Sequence, residues 1–415
     1  MFAITGCLSV CAAEPVPIEL KGIVRFPNSG ESVTPPDRQP DVVAVFEFPP
    51  RPQRREEFGL LGEGQRQGDL EVIKIDIEAG KVQARVNGES REWSLALKPT
   101  KGTVPSGGSQ SAPAGHGRIW LENASRRQAL EIYQRLVGRT LLFSGAITQG
   151  ARLSLRMDPP AAAVELANGL ENALDGLVFH PDGEKFTVIG REGDFEKLTP
   201  ELHQFARNLK LSNPVPPGAQ TSHSEDTVPA GMLNFQNTDF FQVLQIFQEL
   251  VNRTLLRPAR LSGSGVYLKT QTPLTRQDAV YALCAVLALD GLSFVDLGDK
   301  FLFVYPTADK VKRKALFARA FPSHTAAPGS QTIPPGTGNS WLDLPGVAKI
   351  YSELAGERVA YDEHVSRRNF AFRAQTPLTS AEALHALDLL LGWEGLEVVK
   401  SKDGTELKLV RFIEN

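Results

Sequence analysis

The feature that most constrains this chain is an internal repeat. A turn after an amphipathic stretch reads Leu136-Val137-Gly138-Arg139-Thr140-Leu141-Leu142, and returns as Leu250-Val251-Asn252-Arg253-Thr254-Leu255-Leu256. A looser third version is Leu354-Ala355-Gly356-Glu357-Arg358-Val359-Ala360. Further on, Gln271-Thr272-Pro273-Leu274-Thr275 recurs as Gln375-Thr376-Pro377-Leu378-Thr379, with a degenerate Asp158-Pro159-Pro160 in the first copy. Asp175-Gly176-Leu177, Asp290-Gly291-Leu292 and Glu394-Gly395-Leu396 then follow in turn. The same landmarks in the same order mark a duplicated module. At 415 residues the chain is too long for one core, and three modules account for most of it.

The apolar periodicity gives each module its elements. Phe240, Val243, Leu244, Phe247, Leu250 and Val251 follow the i, i+3, i+4, i+7 stripe of an amphipathic helix. Ala129, Ile132, Tyr133 and Leu136 match it in the first copy, and Val347, Ile350, Tyr351 and Leu354 in the third. A second helix is announced by capping patterns, Thr275 with Asp278 and Thr379 with Glu382, in which a hydroxyl satisfies an orphan amide. Strands are expected at residues 118–122, 140–144, 152–157, 177–181 and 185–190, then at 232–235, 266–270, 292–296 and 301–305, and finally at 369–373, 396–400 and 406–411, the last pair turning at Asp403-Gly404. Each module therefore reads β-α-β-β-α-β-β, an α+β fold with helices packed on a small sheet.

Three Pro/Gly/Ser-rich stretches, residues 98–117, 212–231 and 323–340, read as linkers too polar to offset their ordering entropy. They set module 1 at residues 118–211, module 2 at 232–322 and module 3 at 341–415. Residues 17–97 form a different block. Ile73-Lys74-Ile75-Asp76-Ile77 alternates, turns at Ala79-Gly80 into Val82–Val86, and leads through Asn87-Gly88 to residues 93–97, the pattern of a small all-β domain. Residues 48–55 (FPPRPQRR) read as an extended loop. Residues 1–13 are apolar and end in small residues before Glu14-Pro15, as at a signal-peptide cleavage site, so export is expected. Ile4-Thr5-Gly6-Cys7 also resembles a bacterial lipobox, which would make Cys7 a lipid anchor. Of the three cysteines only Cys284 lies beyond that segment, so no intrachain disulfide is expected in the processed chain. No stretch is long and apolar enough for a membrane helix.

Catalytic chemistry finds no signature. The histidines are His116, His180, His203, His223, His324, His364 and His385; none pairs with another at helical spacing, and no Cys/His set has zinc spacing. His116, His223 and His324 fall in linkers, where solvated side chains are expected; His385 reads as structural. No G-x-S-x-G elbow, P-loop or dinucleotide fingerprint occurs. Leu261-Ser262-Gly263-Ser264-Gly265 precedes a strand, so it reads as a turn. Cys284, within an apolar helix, reads as inert packing. The net charge of −3 gives no global pull toward nucleic acid. The basic runs Lys310, Lys312, Arg313, Lys314 and Arg51, Arg54, Arg55 read as solvated faces or as faces with a local acidic partner, and no copy carries the G-x-x-G loop of a KH domain. No catalytic, cofactor or metal residue is therefore assigned.

The repeated pattern resembles the N-terminal periplasmic domains of bacterial secretins, the channels of type II secretion and type IV pilus systems, and the related short domain of some TonB-dependent receptors. The Gly138–Leu141 turn, the Thr272–Thr275 and Thr376–Thr379 helix starts and the Asp-Gly-Leu before a closing hairpin carry the likeness, over residues 118–190, 232–305 and 341–412. The first block is similar to the secretin's inner-membrane partner, through Leu20-Lys21-Gly22-Ile23 and the meander from Ile75 to Val82; in those systems a small β-domain docks on the secretin's first periplasmic domain. A secretin continues into a pore-forming segment, whereas this sequence ends at Asn415 after the third module. The resemblance implies a non-enzymatic periplasmic adaptor that binds a secretin, another secretion or pilus component, or itself. A receptor-type signalling or ligand-binding module is the alternative; a hydrolase with a dispersed site is more remote.

Overall fold

A computed structural model describes residues 18–27, 41–48, 58–95, 116–209, 211, 227–318, 324, 332–361, 369–401 and 405–411. The chain is mixed α+β with several small sheets, arranged in two compact units. One comprises Met1–Gly138 with Thr148–Gly176, the other Arg139–Ile147 with Leu177–Asn415. The segment read as module 1 is thus divided between them.

The first unit begins with β1 (Glu19–Arg25), β2 (Val42–Glu47), β3 (Phe58–Leu61), β4 (Arg66–Gln67), β5 (Leu70–Asp76), β6 (Lys81–Val86) and β7 (Glu89–Ser94). It continues through β8 (His116–Ala124) and α1 (Arg126–Val137) to β10 (Leu153–Ala162) and α2 (Ala163–Ala173), while β9 (Thr140–Leu142) belongs to the second unit. The expected meander is the sheet β4-β5-β6-β7. The remaining strands of the block do not close on themselves: β1 pairs antiparallel with β8, giving one sheet in the order β10-β8-β1-β2-β3. The close approach at that seam requires Gly22, where a Cβ would sit 2.6 Å from the Trp120 carbonyl oxygen. The small β-block is therefore continuous with the front half of module 1.

The second unit holds β9, β11 (Val178–Asp182), β12 (Phe186–Gly190), α3 (Pro200–Asn208), β13 (Thr227–Val228), β14 (Asn234–Thr238), α4 (Phe240–Val251), β15 (Thr254–Pro258), β16 (Val266–Lys269), β17 (Leu274–Thr275) and α5 (Arg276–Leu289). After them come β18 (Leu292–Asp296), β19 (Phe301–Pro306), α6 (Lys310–Phe317), β20 (Thr332–Ile333), β21 (Gly338–Asp343), α7 (Leu344–Ala355), β22 (Val359–Tyr361), β23 (Asn369–Arg373), β24 (Leu378–Thr379), α8 (Ser380–Trp393), β25 (Leu396–Lys400) and β26 (Leu407–Arg411). The three-strand arrangement with a parallel pair occurs three times, as β11-β12-β9, β18-β19-β15 and β25-β26-β22.

The landmark turns act as helix ends. Gly138 (φ 65°), Asn252 (φ 52°) and Gly356 (φ 70°) are the left-handed C-caps of α1, α4 and α7, the conformation that glycine and asparagine tolerate. Both expected capping boxes form. Thr275 Oγ1 accepts from Asp278 N and Thr379 Oγ1 from Glu382 N, while each acid accepts from the cap's own N–H.

Candidate functional site

The surface that recurs in the second unit is the junction at which one three-stranded sheet meets the next pair of helices. Side chains alternate across a strand, so a strand with two apolar faces serves two cores. On β15 and β19, Leu255, Leu302 and Val304 lie in one core with α4 and α5. Leu256, Phe301, Phe303 and Tyr305 lie in the next core, with α7 and α8. One step earlier Leu142, Phe186 and Val188 of β9 and β12 enter the α4–α5 core in the same way. The helix after each sheet closes the seam: Leu202 and Phe205 of α3 on the first core, Leu316 and Phe317 of α6 on the second.

Being enclosed on both sides makes α5 and α8 unusual. Every residue from Ala279 to Leu289 is buried, and Ala383 to Trp393 is buried except at His385. A helix that is apolar all round is a buried helix. In α2, by contrast, only Leu166, Ala167 and Leu170 are buried and Val164 is 65% exposed.

Two polar contacts are common to both junctions. Thr140 Oγ1 accepts from Gln271 N (3.1 Å), and Thr254 Oγ1 from Gln375 N (3.0 Å). Lys185 Nζ donates to Asp278 Oδ2 (2.6 Å), the oxygen that also takes Thr275 N (3.2 Å). Lys300 Nζ donates to Glu382 Oε2 (2.7 Å), which also takes Thr379 N (2.7 Å). In each acid, burial pushes the pKa up, but the lysine and the capping groups together hold it below the ordinary carboxylate value. One carboxylate thus caps its helix and anchors the preceding sheet.

Around this shared frame the junctions differ. In the second, Arg257 and Pro258 pair antiparallel with Ala371 and Phe370, fusing two sheets into the order β18-β19-β15-β23-β21. In the first no such ladder forms among the described residues; Phe143 stacks on Tyr267 (6.3 Å between ring centres). Asp290 accepts there from Ser144 and from Ser264 (2.8 Å), and burial raises its pKa against the pull of those hydroxyls. Each core also has a His–Asp–Tyr set beside it, in which Tyr281, Tyr351 and Asp388 are buried. Tyr281 donates to Asp182 while the His203 ring stacks on it at 4.8 Å. His324 Nε2 and Tyr351 OH contact opposite oxygens of Asp388, at 2.6 and 3.0 Å. Asp388 is 5% exposed; desolvation raises its pKa, opposed mainly by His324 and Tyr351.

Several sequence-based expectations change here. His324 is not a solvated linker residue, because a buried carboxylate holds it. His116 is the first residue of β8 rather than part of a linker. The basic run is only partly solvated: Lys312 lies over the Trp393 ring (4.5 Å) and Arg313 over Tyr305 (5.8 Å), while Val311 is 83% exposed. The segments read as modules 2 and 3 share a sheet and a core. Cys284 is fully buried in α5, and desolvation pushes its thiol pKa far up. His180 packs edge-on against Phe195, and burial lowers the pKa of His385. The glycine-rich turn is an irregular approach to β16. Cys7, Cys11, His223, His364, Arg51, Arg54, Arg55 and the Asp403-Gly404 turn lie outside the described residues.

Among the described residues no group of three or more His, Cys, Asp or Glu side chains could hold a metal ion, and no helix is long and apolar enough to cross a membrane. Comparison with family models, curated proteins and solved structures gave no match to this chain.

Proposed function

We propose that the chain is a non-enzymatic scaffold of a bacterial envelope machine of the type II secretion or type IV pilus kind, exported to the periplasm, and built from three β-α-β-β-α-β-β modules that bind protein partners. The recurrent junction carries this reading. A sheet whose outer face is a dry apolar surface, framed by a lysine and a threonine, docks the next module by complementarity rather than by a one-off contact. The pairing of β1 with β8 adds a second mode, in which a strand of one domain extends the sheet of another. Both are ways of joining proteins, and both agree with the secretin-like pattern of the turns and helix starts. The test is affinity purification of the full chain from envelope fractions of a bacterium that encodes it, after in-cell cross-linking. The expected outcome is stoichiometric recovery of a secretin or pilus component. Recovery of the chain alone, or its fractionation with cytoplasm, overturns the proposal.

A further inference from the structure

Two arginines four residues apart at the α4–β15 corner are almost fully buried, and they have opposite surroundings. Arg253 is 1% exposed and ion-paired with Asp296 at 2.7 Å. Arg257 is 8% exposed, yet its guanidinium reaches only the Pro258 carbonyl (3.3 Å) and the face of the Phe241 ring (4.6 Å). Among the described residues no carboxylate pairs with it. Desolvation without a counter-charge lowers its pKa to about 10. Burying a cation with no carboxylate beside it among the described residues is unfavourable, and one carbonyl and the Phe241 ring offset only part of that cost. The matching residue of the first junction is Phe143, which fills its place by stacking on Tyr267.

The surroundings favour negative charge. Ala371 stands directly opposite Arg257 in the β15–β23 pairing, and Arg373 lies two residues on, on the same face of β23. Arg260 follows on the chain and is exposed, as is Arg373. Phe241, Gln245 and Gln248 share one face of α4, and Gln248 Nε2 reaches the Arg373 carbonyl (3.4 Å). The Gln245 and Gln248 amides are already engaged, with Glu249 and with Arg373 and Gln375, so what the corner offers is a planar guanidinium backed by an aromatic ring, with Arg373 on the same strand face. A carboxylate matches the guanidinium fork with two parallel hydrogen bonds.

We infer that Arg257 receives a carboxylate, the acidic side chain of a partner protein, seated where the start of α4 meets the β15–β23 pairing. A free small carboxylate is the other source of the same chemistry. The inference names a contact, and it stands if the envelope assignment fails.

The test uses the full chain, with a poly-glutamate peptide, acetate and inorganic phosphate as probes at constant ionic strength. The peptide is expected to raise the melting temperature of the native chain saturably and to shift the Arg257 Nε–H resonance. R257F, which installs the residue of the first junction, is expected to melt higher than the native chain without probe and not to respond to the peptide. A peptide response of equal size in R257F, an unmoved Arg257 resonance, or R257F melting below the native chain overturns the site. Saturation by acetate at the peptide's concentration of carboxylate overturns the partner assignment, and a preference for phosphate overturns the carboxylate. If R257F fails to fold, the Arg257 resonance of the native chain and the response of R257Q decide the matter.

Discussion

The first and second junctions have the same frame and different fillings. Both use a buried threonine that accepts a backbone amide, and a lysine on the capping acid of the next helix. The second adds strand pairing and a large aromatic cluster; the first substitutes a ring stack and the hydroxyls around Asp290. The polar frame fixes register, because a hydrogen-bonded pair tolerates little displacement. The apolar filling supplies most of the stability and is free to vary as long as the space is filled.

That division makes the second junction the stronger in apolar terms, and truncation of its central ring is the largest expected effect. Phe303 is fully buried against Tyr305, Phe317 and Trp393. Phe303→Ala should cost about 3–5 kcal/mol in urea unfolding. Phe186→Ala, at the first junction against Tyr281, should cost less, because Phe186 keeps some exposure and has fewer rings around it. Equal losses, or the reverse order, would break the comparison.

Next in size is the His–Asp–Tyr set. His324→Ala leaves the Asp388 carboxylate buried with only Tyr351 bonded to it, and should destabilise by about 1–3 kcal/mol. His203→Ala should do less, since its ring contacts a tyrosine that already donates to Asp182. Thermal melts of the two variants test this; a larger effect at His203 would mean that the first junction depends more on its polar groups.

The shared frame predicts a small and equal effect. Lys185 and Lys300 are 40% and 38% exposed, so solvent screens both pairs and each should contribute only about 0.2–1 kcal/mol. The sign with pH follows from the depressed pKa values of Asp278 and Glu382. Their stabilisation is complete above the unfolded-state values near 3.8 and 4.5, and is lost as pH falls through the lower folded values. Lys185→Met and Lys300→Met should weaken that acid dependence in pH-dependent denaturation. If only one of them did, the frame would not be common to both junctions.

Much of this was legible in the sequence. Strands at residues 292–296, 369–373 and 396–400 fall where the alternation places them, and the Thr275–Asp278 and Thr379–Glu382 patterns form the capping boxes they spell. The junctions were not legible in the same way. Lys185 and Asp278 are 93 residues apart, and no local pattern joins them. Phe301, Leu302, Phe303 and Val304 read as one apolar run, which says that both faces are buried but not in whose core. A signal did exist in α5 and α8, whose apolar residues surround the helix, while α2 keeps an ordinary one-sided stripe. His324 misled because proline and glycine neighbours describe the backbone's freedom and say nothing of a distant buried acid.

Because β19 has side chains in both cores, the segments read as modules 2 and 3 should behave as a single thermodynamic object. Melting either core removes one wall of the other, so the pair should unfold in one transition with the enthalpy of both. Severing the connection between them would break a covalent tether without separating the halves.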